Sequence, residues 1–302
     1  VSTAAAGRPR PARESRFRRF ARQFAESRGA LVALTVLVAI VVLAFAAPFI
    51  TPQNPYDLMQ VDIMDNLLPP GTESYAGFTF VLGSDGQGRD LLSAILYGLR
   101  TSLVVGVLSG VIALCFGSVV GLTSAYCGGL VDTIIMRIVD LQLSLPAILV
   151  ALILLVVLGG GVDKIIIALV VVQWAYFART VRGVALVETG REYIDAARGL
   201  RLGPLRIVLG HLLPNCLPTV IVVATVQVAS AISLEATLSF LGIGLPPTQP
   251  SLGLLIANGF AFVMSGNYWI SLFPGIALLV TIVSINIVGD RLRDVLNPRL
   301  SR

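Results

Sequence analysis

Charge is what this sequence has least of. Only 13% of its 302 residues are charged, 56% are hydrophobic, and the mean hydropathy is +0.87. A soluble domain carries about a quarter charged residues, so much of this surface must face lipid. There is one lysine, Lys164, and it stands between Asp163 and Ile165. A phosphate-binding loop needs Gly-Lys-Ser/Thr at that point, so no nucleotide is expected on this chain. Three cysteines (Cys115, Cys127, Cys216) make no disulfide framework, and no Cys/His cluster has metal-ligand spacing. The single histidine, His211, lies among apolar residues and offers no nucleophile a base. An intramembrane enzyme is therefore the remote reading, and no cofactor is expected. The net charge of +5 would suggest nucleic acid in a soluble protein. Its distribution here points to membrane topology instead, with no nucleic-acid partner.

Residues 1–29 carry eight arginines against Glu14 and Glu26, with Phe17, Phe20 and Phe24 at helical spacing. Two readings fit: an amphipathic helix on anionic headgroups, or a basic topology signal without fixed structure, which is the plainer one and is preferred. Ala30 to Ile50 is a run of 21 uncharged residues, about 31 Å as a helix, enough for a first, uncleaved span. The interval 51–97 holds six acids and one base, with prolines and glycines that predict loops. Thr101 to Val131 has no charge, and Gly106, Gly110, Gly117 and Gly121 fall on one helix face. Stacked small-xxx-small pairs of this kind predict close helix packing.

The next span, uncharged from Leu141 to Val162, carries Pro146 and should kink there. Kinks in transporters occur where they line a pathway, so Pro146 is a candidate for one. Ile165 to Ala178 is a short span flanked by Lys164 and Arg179, and Leu212 to Leu234 is the fifth. Glu235 then stands alone. An ionisable group near mid-membrane costs roughly 2.5–3.5 kcal/mol on insertion scales. It either lines a route, holds a neighbouring segment, or reaches water at the interface. Ala236 to Gly289 is uncharged over 54 residues, and Pro246, Pro247 and Pro250 with three glycines place a folded-back or interfacial segment in its first half. Trp269 to Val288 is the sixth span. With both termini on one side, the segments assigned inside hold 19 of the 22 Lys and Arg. That asymmetry puts both ends, and the polar interval 191–215, in the cytoplasm.

That interval, REYIDAARGLRLGPLRIVLGHLLPN, is the widest polar break in the second half. A helix is expected from Glu192 to Leu200, a break at Gly203-Pro204, and a second short helix stopped by Pro214. Ala196 and Ala197 would form a small face that lets another protein approach closely; an ordinary solvated loop is the simpler alternative.

The stretch resembles the cytoplasmic coupling loop of ABC-importer permease subunits, with Asp195-Ala196-Ala197 where the family has Glu-Ala-Ala. Arg206, His211, Pro214 and Asn215 match the ending of its dipeptide and oligopeptide branch. The sequence departs at Arg201, where the family has glycine, and at Gly199, where it has alanine. Four more stretches resemble the same branch: LGSDGQGRD (Leu82 to Asp90), the Gly128 to Leu149 region with Asp132, Arg137 and Asp140, the segment Glu235 to Gly253, and Pro274 to Arg299. The resemblance implies an all-α integral membrane protein with six transmembrane helices, the type I ABC importer permease fold. Its parts would be a basic tail (1–29), a first helix (30–50), an extracytoplasmic loop (51–97), a five-helix core (98–290) and a cytoplasmic tail (291–302). The implied location is the bacterial plasma membrane. The implied partners are a homologous second permease, cytoplasmic ATPase subunits that hold ATP and Mg, an extracytoplasmic substrate-binding protein and the bilayer. The implied docking residues are Asp195, Ala196, Ala197, Arg198, Gly199, Leu200, Arg201, Arg206 and His211. The implied cargo is a di- or oligopeptide, with nickel, glutathione or another small solute as the alternative on the same scaffold.

Overall fold

Long uncharged runs leave the backbone no partner but itself in lipid, and this chain answers with helices. The computed structural model describes residues 16–296. Helix α1 spans Arg16–Ala25 and α2 Arg28–Ile50, with Ser27 capping α2 by accepting the Ala30 N–H. A loop-rich interval follows, containing only a two-stranded antiparallel ribbon, β1 (Thr72–Glu73) with β2 (Thr79–Phe80). Then come α3 (Leu91–Cys127), α4 (Gly129–Ser144), α5 (Ala147–Leu158), α6 (Val162–Thr189), α7 (Glu192–Gly199), α8 (Pro204–Ile207), α9 (Leu213–Phe240), α10 (Leu252–Phe260) and α11 (Trp269–Leu296). Among the described residues, five helices are long and apolar enough to cross a membrane, and the α4–α5 pair, bent by 89°, counts as a sixth when taken as one broken span.

Helix α3 is the centre post, 37 residues or about 55 Å long. Its glycine face is divided between two partners. A Cβ on Gly106 would meet Ile232 of α9 at 2.6 Å, and one on Gly110 would meet Val228 at 3.1 Å. One turn-pair further, Gly117 and Gly121 lie against the backbone carbonyls of Trp174 and Ala178 on α6, each 2.5 Å from where a Cβ would be. The stripe therefore packs within the chain. Helix α10 is the folded-back segment, wedged backbone on backbone. A Cβ on Gly253 would lie 2.1 Å from the Ala236 carbonyl of α9, and one on Gly259 2.5 Å from the Ser271 amide of α11.

Five expectations change. The basic tail is helical over Arg16–Ala25 and rests on α2 and α11, with Arg291 donating to the Gln23 carbonyl; the reading as an unstructured signal is wrong there. Pro146 breaks its helix outright, at 89°, because a proline forces the preceding Leu145 into extended backbone (ψ 138°). The short span 165–178 is the middle of a 28-residue helix, because Arg179 and Arg182 pair with Asp140 and Asp132 of α4 and the helix runs on through them. Pro214 does not stop a helix. A π turn over Val208–Leu212, in which the Leu213 N–H donates to the Val208 carbonyl, shifts the hydrogen-bond register and carries α8 straight into α9. The third span also begins at Leu91, seven residues inside the interval assigned to the loop. Pro298 and Arg299 lie outside the described residues.

These contacts set an expected contrast. Gly117→Leu must displace α6 backbone and should cost roughly 1–3 kcal/mol or more in the folded protein. Gly275→Ala on α11, where an added Cβ meets nothing within 4 Å, should be neutral or gain a few tenths of a kcal/mol, since alanine is the better helix former. Thermal unfolding of both variants in one detergent checks this; equal midpoints would mean that α3 and α6 do not pack through glycine.

Candidate functional site

The polar interval folds into a rigid knob at one end of the bundle. Its first part is α7, in which Ile194 and Ala197 turn inward, buried against Val181 and Ala185 of α6 and Leu212, Cys216 and Val220 of the following helix. Ala197 thus belongs to the chain's own core. It does not share the outer face with Ala196, as the sequence suggested, because it follows Ile194 by three residues and takes the same side of the helix. Asp195, Ala196, Arg198, Gly199 and Leu200 face outward. Asp195 and Arg198 approach each other at 3.4 Å, an exposed pair of little weight.

Helix α7 ends in a Schellman turn: the Leu202 N–H donates to the Ala197 carbonyl and the Arg201 N–H to that of Arg198. The residue between must be left-handed, and Arg201 has φ +52°. Arginine therefore occupies, with its side chain exposed, the backbone conformation in which glycine is easiest. A Cβ on Gly199 would meet nothing, so alanine would fit there too.

A polar network bolts α7 to its neighbours. The Tyr193 hydroxyl donates to Glu188 Oε2 at the end of α6 (2.6 Å), and Asn215 Nδ2 donates both to that hydroxyl (3.1 Å) and to the His211 carbonyl (2.7 Å). Burial, with the Glu188 carboxylate next, pushes the Tyr193 phenol up to about 12, so it stays a donor. The His211 ring stacks on Tyr193 with centroids 6.5 Å apart, and its Nδ1 lies 3.3 Å from the Arg206 carbonyl. His211 and Asn215 therefore tie α7 to the start of α9 through a surface network. Beside its exposed charges, Asp195, Arg198 and Arg201, the knob presents bare apolar side chains: Leu200 and Leu205 are 76% and 75% exposed, and Leu209 is exposed as well.

A second feature lies at mid-bundle. A groove of about 650 Å³ opens between α5, α6, α9 and α11, lined by Gln173, Tyr176, Gln227, Ser230, Ser233, Thr237 and Asn286 among apolar neighbours. Its polar groups are neutral amides and hydroxyls. Gln173 is buried and its Oε1 has no hydrogen-bond partner. Pro146 sits at the rim, directly before Ala147 and Ile148 of the lining. Glu235 is not in the groove. It points to the opposite face of α9, fully buried, accepting from Ser102 Oγ of α3 (2.7 Å) and Ser239 Oγ (2.8 Å), with the Ser251 hydroxyl that opens α10 as a third partner. Its contacts tie α3 and α9 to the start of α10, which is the geometry of the second of its three readings. Sequence reading missed the groove residues because they are uncharged. A signal existed in Ser230, Ser233 and Thr237, which recur at helical spacing in an apolar run.

At the end of the bundle away from the knob, LGSDGQGRD forms a second rigid unit. Arg89 Nε donates to Asp85 Oδ2 at 2.7 Å with both side chains buried, and Asp85 Oδ1 accepts the amides of Gln87 and Arg89. Asp90 caps α3 through the Ser93 amide and hydroxyl, and burial raises its carboxyl above the usual carboxylate range. Gly88 has φ +77° and sits where a Cβ would lie 2.1 Å from the Asp62 carbonyl, so the motif is closed over by the loop it follows.

Residues 113–302, more than half of the chain, match the family described as binding-protein-dependent transport system inner membrane component. Residues 15–70 match the N-terminal TM domain of oligopeptide transport permease C. A dipeptide transport system permease protein of Haemophilus influenzae is 34% identical over 92% of this chain and 93% of its own length. A putative peptide transport system permease protein of Brucella suis is 39% identical over 93% and 91%, and the Escherichia coli dipeptide permease 37% over 92% of each. Among solved structures, a chain of the MetNI methionine ABC transporter in an inward-facing conformation superposes with a TM-score of 0.55 at 23% identity, covering 68% of this chain and 96% of that one. At that identity the likeness is one of fold.

The left-handed residue gives a direct test. Arg201→Gly should stabilise the knob by about 1 kcal/mol or leave it unchanged, because glycine carries no steric cost at positive φ. Arg201→Val should destabilise it, since a β-branched residue there is a true outlier. Hydrogen exchange at residues 196–202 reads both changes; slower exchange in the valine variant would contradict the turn.

Proposed function

The chain belongs to the inner-membrane components of binding-protein-dependent transport systems, and from that membership we propose that it is the permease subunit of an ATP-driven peptide importer, forming half of the translocation path and one docking site for a cytoplasmic ATPase. The observation that carries the path is the mid-bundle groove. Neutral amides and hydroxyls set in an otherwise apolar wall suit a peptide, whose backbone offers both donors and acceptors and whose side chains vary. A wall bearing fixed charge would select among those side chains; this one offers hydrogen bonds that any peptide can exchange. A homologous second permease facing the groove completes the path, and an extracytoplasmic binding protein delivers the cargo.

The knob supplies the coupling. Ala196 and Gly199 allow a partner to come close, while Leu200 and Leu205 give it apolar area to bury, roughly 1.5–3 kcal/mol for each side chain removed from water. Because Tyr193, Glu188, His211 and Asn215 fasten α7 to α6 and α9, a push on the knob is delivered to two membrane helices at once. ATP and Mg belong to the ATPase; this chain's part is to receive the motion. The arginine bias supports a cytoplasmic knob, α1 and chain ends, with the acidic interval 51–90 outside.

Two measurements test this. Ala196→Glu and Leu200→Glu change only the outer face, so the protein should stay in the membrane with α7 folded, while peptide-stimulated ATP hydrolysis and uptake fall at least tenfold. Normal uptake at equal abundance would remove the docking role. For sidedness, Met59, 94% exposed, is replaced by cysteine in a cysteine-free background. An impermeant maleimide should label it in intact cells, and labelling only after lysis would invert the topology.

A further inference from the structure

At one end of the bundle, α2 and α11 part to leave an apolar groove of about 580 Å³, lined by Gly29, Val32 and Val36 on α2 and by Val280, Val283 and Ile287 on α11. From its lining we infer that this groove holds one acyl chain of an anionic phospholipid, with the phosphate on Arg28.

The groove runs along α2 from Arg28 to Val36, a rise of about 12 Å. Half of a hydrocarbon core about 30 Å thick is about 15 Å, so the groove has the depth of one leaflet and stops where an acyl chain would. The cleft also stays open although it is built to be closed. Gly29 and Ala33 are a small-xxx-small pair, which normally lets a helix backbone approach. Ala33 is buried, yet a Cβ on Gly29 would meet nothing within 4 Å. Among the described residues, nothing in this chain fills that place.

Charge selects among lipids. The groove has one ionisable side chain, Arg28, and it stands at the mouth, exposed, at the first position of α2. The positive end of the α2 dipole points the same way. Helix α1, with Arg18 and Arg22 on it, is held against this mouth through Arg291, which reaches the Gln23 carbonyl and lies 3.9 Å from Glu26. A phosphate with net negative charge is the complement of that setting, and a zwitterionic headgroup meets it less well. A helix of the second permease chain would fill the volume without calling for a cation at its mouth.

The inference rests on α2 and α11 being membrane spans and not on what the protein transports, so loss of uptake in the test would not bear on it. The assembled complex, purified and relipidated with an equimolar mixture of phosphatidylglycerol and phosphatidylcholine, is washed in mild detergent and its retained lipids are counted by native mass spectrometry. Wild type should retain phosphatidylglycerol in excess. Arg28→Gln should reduce that preference about fivefold, the weight of one basic side chain at a membrane surface. Gly29→Leu, which fills the groove, should abolish specific retention of either lipid while the complex elutes intact. Equal retention of the two lipids by wild type overturns the proposal. Dissociation of the permease pair in Gly29→Leu, with lipid retention unchanged, would give the groove to the second permease instead.

Discussion

Helices in a bilayer gain nothing from hiding apolar surface from one another, because lipid is as apolar as they are. They hold together only by approaching closely enough for dispersion and by satisfying polar groups across the gap. In this chain the approach is made at glycine. The centre post meets α9 at Gly106 and Gly110 and α6 at Gly117 and Gly121, and α10 meets α9 and α11 at Gly253 and Gly259. The groove and the knob are both defined by where α6 and α9 stand relative to that post.

Polar groups that reach from one element to another do the remaining fastening. Asp132 of α4 takes Arg182 of α6 and the Ser124 hydroxyl of α3, so three helices meet on one carboxylate. Glu235 does the same for α3, α9 and α10 through three serine hydroxyls. The Asp132–Arg182 pair is partly exposed and adds little stability by itself, whereas removing a serine from the fully buried Glu235 leaves a polar group unsatisfied at about 1–3 kcal/mol. They fix which arrangement forms more than how stable it is.

This explains what was legible in the sequence. Spans, the glycine face, the folded-back segment and the polar knob are local patterns, and they were readable. The full length of α6 was not, because Arg179 and Arg182 look like a helix end until Asp140 and Asp132 are brought beside them. The passage through Pro214 was hidden because a change of hydrogen-bond register leaves no compositional mark. The basic tail was misread because three phenylalanines among arginines fit either reading until α11 supplies a surface. Ala197 was readable in principle: Ile194, three residues before it, already says which side of α7 is the inner one.

The π turn has a mechanical consequence. Because it joins α8 to α9 without a loop, Pro204 to Phe240 is one continuous rod of 37 residues, about 55 Å long. Its near end is the knob, and its far end carries the serine-caged carboxylate and the seat of α10. Tilting a rod of that length by about 5° moves its tip by about 5 Å, close to the spacing of one helical turn. A rotation small enough to keep every side chain in its rotamer at the fulcrum is thus, at the opposite face of the membrane, a displacement as wide as a peptide backbone. The gain is set by helix length alone.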